Sequence, residues 1–164
     1  MDAQLQCNPC GDQYLMLFQE RTDTDYAIKE NSIVYDLDAA TLCFFARDNP
    51  NDSSDDNQCP YSYAVPGVDN EFTFCTTPVL GVLILGTSRD AAVGLDDDAE
   101  WHHICVTWSS ANGDYEFFKD GVSVGSGSGF NSGGHITSGG TTVIGQDQDE
   151  VGGGFDSTRL LLAT

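Results

Sequence analysis

The sequence predicts an all-β domain, two antiparallel sheets packed face to face as a β-sandwich of the jelly-roll kind. Three observations carry this. Strand-sized apolar runs recur along the chain with Gly, Asn, Asp or Pro at their joints. No stretch holds the period of an amphipathic helix over about ten residues. Eighteen glycines lie scattered between the runs, where turns need them. The 164 residues fit one domain, large enough to bury roughly two-thirds of the unfolded surface. A hydrophobic content of 40% is that of a folded chain and argues against wholesale disorder.

Residues 1–13 read as an irregular leader and 14–164 as the domain. Within the leader, Cys7-Asn8-Pro9-Cys10-Gly11 forms a tight turn. No helix pattern follows it, so a structural or inter-chain disulfide is expected there in place of a redox centre. Strands are expected at 14–18, 26–28, 33–35 and 40–45. A polar loop at 47–60 carries Asp48, Asp52, Asp55 and Asp56. Further strands are expected at 61–65, 71–75, 79–85, 102–108, 115–119, 122–124 and 141–144. Lys119-Asp120-Gly121-Val122 is a hairpin signal, because Asp-Gly supplies turn residues that accept positive φ. Residues 125–140, rich in Gly and Ser, read as a loop inside the domain.

Charge removes several functions. There are 26 acidic residues against 6 basic ones, a formal net charge of −20. A nucleic-acid groove needs clustered Lys and Arg, and none is present. An anionic membrane surface would repel the chain. Its longest apolar stretch, 79–85, is far short of the roughly 20 residues that span a bilayer. Dense carboxylates do suit a hard cation such as calcium.

The six cysteines are Cys7, Cys10, Cys43, Cys59, Cys75 and Cys105. They lack the repeated Cys-x-x-Cys and His spacing of a zinc site, and spacing alone does not choose their pairing. Their even number favours an oxidising compartment. Asn51-Asp52-Ser53 makes Asn51 a candidate glycosylation site. The start, Met1-Asp2-Ala3-Gln4, has neither the basic start nor the apolar core of a signal peptide. The expectation is a piece of a longer secreted or membrane-anchored protein.

The most informative stretch runs from Ile144 to Asp156: Gln146-Asp147-Gln148-Asp149-Glu150, then Gly152-Gly153-Gly154, then Phe155-Asp156. Acidic and amide residues followed by three glycines can curl until several oxygens converge, and calcium takes about 6–8 of them. The spacing is not that of an EF-hand. Upstream stands Asp69-Asn70-Glu71. His103-Ile104-Cys105-Val106-Thr107-Trp108-Ser109-Ser110 follows a His-x-Cys-x-(Ser/Thr)-Trp-x-(Ser/Thr) pattern at every defined position.

Taken together and in this order, these motifs resemble the pentraxin family. The resemblance covers about 17–159, including Thr24-Asp25-Tyr26 and Thr41-Leu42-Cys43 at the early strands. Laminin-G-like modules share the fold and an approach such as Trp101-His102-His103. The resemblance implies a concanavalin- and laminin-G-like sandwich with a Cys43–Cys105 disulfide. It also implies calcium held by the side chains of Asp69, Asn70, Asp147, Asp149 and Asp156 and the carbonyl of Gln148. In the family such an ion bridges to a carbohydrate or anionic small ligand, and the domains assemble as homo-oligomers.

Three departures matter. Arg159 replaces a glutamine that would hold a second ion, so one calcium is expected and not two. Cys75 stands where some members carry a ligand-packing phenylalanine, and it is then available to pair with Cys59. The chain stops at Leu161-Leu162-Ala163-Thr164, before the closing strands the family has.

Enzyme chemistry is not expected. Glycoside hydrolysis needs two carboxyl groups about 5–9.5 Å apart across a sugar cleft. Asp147, Asp149 and Glu150 sit instead in a glycine-flanked loop without an aromatic lining. His102 and His103 fall on opposite faces of one strand, His135 stands alone in a glycine-rich loop, and Trp101 and Trp108 are expected in the core. The expected function is a calcium-dependent, lectin-like recognition module of a secreted or extracellular protein. The alternative is a structural or adhesion module in which calcium only stabilises a loop.

Overall fold

The computed structural model describes residues 4–7, 14–17, 26–47, 58–76, 78–95 and 100–155, the first two ranges as backbone alone. Cys10, Asn51, Asp156 and Arg159 lie outside the described residues.

All regular structure in these residues is strand. The elements are β1 (Gln4–Cys7), β2 (Tyr14–Leu17), β3 (Ala27–Glu30), β4 (Ala39–Ala46), β5 (Tyr61–Val65), β6 (Val68–Cys75) and β7 (Gly81–Ile84). They continue as β8 (Thr87–Asp90), β9 (His102–Ser109), β10 (Asp114–Lys119), β11 (Val122–Gly127), β12 (Thr141–Ile144), β13 (Gln148–Glu150) and β14 (Gly153–Phe155). A four-stranded sheet has the order β11-β10-β9-β4, and a six-stranded sheet the order β3-β12-β5-β6-β7-β8. Every pairing is antiparallel. The architecture is an all-β, two-sheet antiparallel sandwich.

The sheets meet through alternate side chains. On β4, Leu42 and Phe44 point inward while Thr41, Cys43 and Phe45 are exposed, the period of two that one covered face imposes. The Phe74 ring of β6 lies 5.4 Å from Phe44 of β4 and 6.1 Å from Phe117 of β10, tying the two sheets together. Trp108 is buried in this core, and its indole N–H donates to the Phe130 carbonyl at 2.8 Å. Trp101 departs from expectation: it is 38% exposed and lies under the Arg47 guanidinium at 5.4 Å.

Turn chemistry explains the hairpins. Asp120 and Gly121 have φ of 51° and 78°, both positive as the β10–β11 turn requires. The β7–β8 turn uses Leu85 and Gly86 at 51° and 70°, so a leucine occupies the left-handed region. That residue hid β8, because residues 79–85 read as one apolar strand.

Two other differences are informative. Residues 33–35 form no strand. Val34 and Tyr35 are 67% and 79% exposed, and the pairing here shrinks to one bridge between Leu37 and Ile136. Gln4–Cys7, inside the segment read as irregular, pairs with Tyr14–Leu17.

Among the described residues, two disulfides are present. Cys43 and Cys105 face each other across β4 and β9 with Cα atoms 4.2 Å apart, and Cys59 joins Cys75 at the open end of the β5–β6 hairpin.

Candidate metal centre at the rim of the six-stranded sheet

The candidate site rests on the outer face of the six-stranded sheet. Cross-strand partners share a face, so Val143, Ser62, Thr73 and Leu83 form one outward row. Outward residues of a sheet usually meet water, yet Val143, Ser62 and Thr73 are fully buried. Residues 146 and 148 reach this face at Ser62. Ser62 donates its hydroxyl to the Gln146 carbonyl at 2.9 Å. The Gln148 side-chain amide donates to the carbonyls of Ser62 and Thr141 at 3.1 and 3.0 Å.

From this anchor the chain turns through β13 and β14, which pair Gln148 with Phe155 and Glu150 with Gly153. Gly152 and Gly154 have φ of 69° and 65°, which L side chains rarely adopt, so glycine at these positions is what lets the hairpin close. Phe155 stacks on Tyr26 with ring centres 4.2 Å apart, fixing the far end. These strands lie in the stretch read as a curled acidic loop. The loop is a hairpin.

A cleft of about 440 Å³ opens between this hairpin and the β5–β6 turn, lined by Val65, Gly67, Val68, Asp69, Asp149, Glu150 and Val151. Asp69 and Asp149, 80 positions apart in the chain, thus reach one cleft. Asp69 Oδ1 also accepts the Asn70 backbone N–H at 3.0 Å, and Asp147 Oδ1 accepts the Gln148 N–H at 3.0 Å. Asn70 adjoins the cleft on β6 but does not line it, and its carbonyl accepts Gly86 N–H at 3.0 Å. Asp147 is 3% exposed and sits behind the cleft beside Gln148. The Gln148 side-chain amide is engaged by Ser62, Thr141 and Gly152, so its backbone carbonyl is the group it could offer a cation. Glu150 lines the cleft although the ligand set inferred from sequence omits it; its place beside Asp149 in the acidic run was the available signal.

The donors are all oxygens, the chemistry a hard cation selects. The fit is one of donor type and placement. Among the described residues, Cys43, His103 and Cys105 form the one trio of His, Cys, Asp or Glu ligand atoms lying within 4.8 Å of one another, and those two sulfurs are bonded together. An ion at the cleft would therefore draw the carboxylates inward.

Other acids hold the backbone. Asp120 accepts the His103 N–H at 2.9 Å and pairs with His102 Nδ1 at 2.7 Å, and these bonds hold its carboxyl below the usual value. Asp36 accepts both the N–H and the hydroxyl of Ser138 at 2.8 Å and is likewise lowered. Glu71, almost wholly buried, accepts the Thr137 N–H. Burial raises the Tyr63 phenol, whose oxygen donates to the Thr137 carbonyl at 2.7 Å and accepts Gly140 N–H at 2.8 Å. His102 and His103 diverge across β9, as alternation demands: His102 goes to Asp120, and His103 lies 3.7 Å from the Cys105 sulfur.

Fold and site together define a disulfide-tied β-sandwich with an oxygen-rich cleft at one rim. The chain belongs to the Pentaxin family, whose profile matches residues 15–163. Human neuronal pentraxin-1 is 35% identical over 156 residues, covering 94% of this chain and 35% of that protein. Human neuronal pentraxin-2 is 38% identical over 128 residues, covering 77% and 29%. The chain thus spans about a third of the length of these relatives. The heptameric SAP-like pentraxin of Limulus polyphemus superposes with a TM-score of 0.63 at 22% identity, over 86% of this chain and 73% of that one. The full extracellular region of zebrafish Gpr126/Adgrg6 contains a similar fold, with a TM-score of 0.65 at 19% identity over 83% of this chain and 18% of that one. The family is non-enzymatic.

Proposed function

We propose that this domain is a calcium-dependent recognition module of a secreted protein. The observation that carries the reading is the convergence of Asp69 from β6 with Asp149 and Glu150 from β13 on one cleft. One calcium ion would be held by Asp69, Asn70, Asp147, Asp149 and the Gln148 carbonyl, with Asp156 from outside the described residues. The bound ion supplies a positive pole on a surface of formal charge −20, and a carbohydrate or anionic small molecule completes its coordination. Binding of such a ligand then follows calcium occupancy. Two disulfides support an extracellular setting. Kinship with a heptameric pentraxin supports assembly into a ring of copies.

Thermal unfolding with and without calcium tests the reading. At a hundredfold excess over its dissociation constant, calcium should add about 2.7 kcal/mol and raise Tm by several degrees. Asp147→Ala/Asp149→Ala should abolish that rise. An unchanged Tm in folded parent protein at millimolar calcium would sink the reading. If calcium raises Tm but no carbohydrate or phosphate ligand binds, the module is structural or adhesive and the ion serves only to stiffen the hairpin.

A further inference from the structure

Gln148 is a fully buried amide with its hydrogen-bonding capacity engaged on four sides. Its Nε2 faces the Ser62 carbonyl at 3.1 Å, the Ser62 hydroxyl at 3.2 Å and the Thr141 carbonyl at 3.0 Å. Its Oε1 accepts the Gly152 N–H at 2.8 Å. One side chain therefore joins β5, the start of β12 and the tip of the β13–β14 turn. The Ser62 hydroxyl extends the network by donating to the Gln146 carbonyl, so both glutamines of the run are tied to the same serine. Among side chains of similar size, Glu lacks the two donors, Leu any polar atom, Met all but a weakly accepting sulfur, and Asn the reach.

We infer that Gln148 is the positioning residue of the proposed metal centre, acting through a side chain that is not itself a ligand. The inference rests on the calcium reading given above. Flanking Asp147 and Asp149 turn with the backbone of Gln148, so the peg that fixes residue 148 fixes where both carboxylates and the 148 carbonyl stand. The bond to Gly152 ties the hairpin tip to the side chain anchored on the sheet, and with it the position of the hairpin wall of the cleft that Asp69 also lines. Gln148 shapes the hairpin without calcium, so an ion has only to draw together carboxylates whose backbone is already held in place. Partners that orient metal ligands in this way typically govern affinity by about 10–100-fold.

Gln148→Met keeps the volume and removes every bond. Calcium affinity by titration calorimetry, with terbium luminescence as a second probe, should fall about 10–100-fold in protein that still unfolds cooperatively. In calcium-free parent protein the Gly152 amide should exchange slowly with deuterium, and in the variant it should exchange fast. Ser62→Ala, a milder cut in the same network, should weaken calcium in the same direction and serves if Gln148→Met does not fold. A folded variant with parental affinity overturns the positioning role and leaves the calcium reading intact. A parent that binds no calcium overturns both.

Discussion

The outer faces of the two sheets are built on opposite plans. On the four-stranded sheet, β4 alternates cleanly and turns Thr41, Cys43 and Phe45 to the surface, Phe45 being 68% exposed. On the six-stranded sheet, residues 71–75 of β6 are buried on both sides, and Thr73 on the outward side is as inaccessible as Phe74 on the inward one. Hydrophobic content does not explain this difference. The covered face is the more polar, with Ser62 and Thr73 buried on it and residues 146 and 148 bonded to Ser62. Ser62 and Gln148 meet hydrogen-bond partners on that face, and the same contacts shape the proposed site.

Core substitutions give the largest test of this contrast. Phe74→Ala should cost about 3–5 kcal/mol in urea unfolding, because it empties the contact between the sheets. Phe45→Ala, on the bare face, should fall within about 0.5 kcal/mol of the parent. Equal costs would mean that Phe45 is covered in solution.

Reduction comes next. Cys43 is exposed, whereas Cys59 and Cys75 are 1% and 8% exposed. A mild thiol reductant should open Cys43–Cys105 first, read by alkylation and mass spectrometry. The opened protein should lose about 2–4 kcal/mol and keep its sheets. Simultaneous opening of both bonds would refute the difference in access.

The smallest effect is that of pH. Asp36 and Asp120 are both lowered below 3.8 by the hydrogen bonds they accept, in Asp120 chiefly from His102 and in Asp36 chiefly from the Ser138 N–H. A depressed folded pKa means that the stabilisation is present in full above the unfolded value and is lost as pH falls through the folded one. Tm should therefore fall from about pH 5 downward. Asp36→Asn/Asp120→Asn should flatten that slope, and an unchanged slope would show that other carboxylates govern it.

Much of the sandwich could be read from the chain. Leu42 and Phe44 alternate with Thr41 and Cys43 because one face is bare, so the period of two survives in the sequence. Asp120-Gly121 announces its hairpin because both residues tolerate the geometry they adopt. Leu85-Gly86 does not, since leucine conceals a turn within an apolar run. β13 and β14 were hidden for another reason: Gln148, Asp149 and Glu150 have no strand propensity to speak of, and their pairing depends on Ser62 and Thr141, far off in sequence. For the site, the acidic run and Asp69-Asn70 were visible singly. Their meeting at one cleft depends on long-range packing, and Glu150 joins them for the same reason.

The β7–β8 hairpin has a consequence for association between molecules. A two-residue turn makes Ile84 with Thr87 and Val82 with Arg89 the hydrogen-bonded pairs, so Ser88 presents its backbone outward at the end of the sheet. Arg89 donates its guanidinium to that Ser88 carbonyl at 2.7 Å, while its charge lies 4.8 Å over the Phe130 ring. A strand from another copy would have to displace the arginine and strip water from Asp90 before it could pair. Arg89 thus occupies the Ser88 carbonyl, one of the outward acceptors that an added strand at β8 would use.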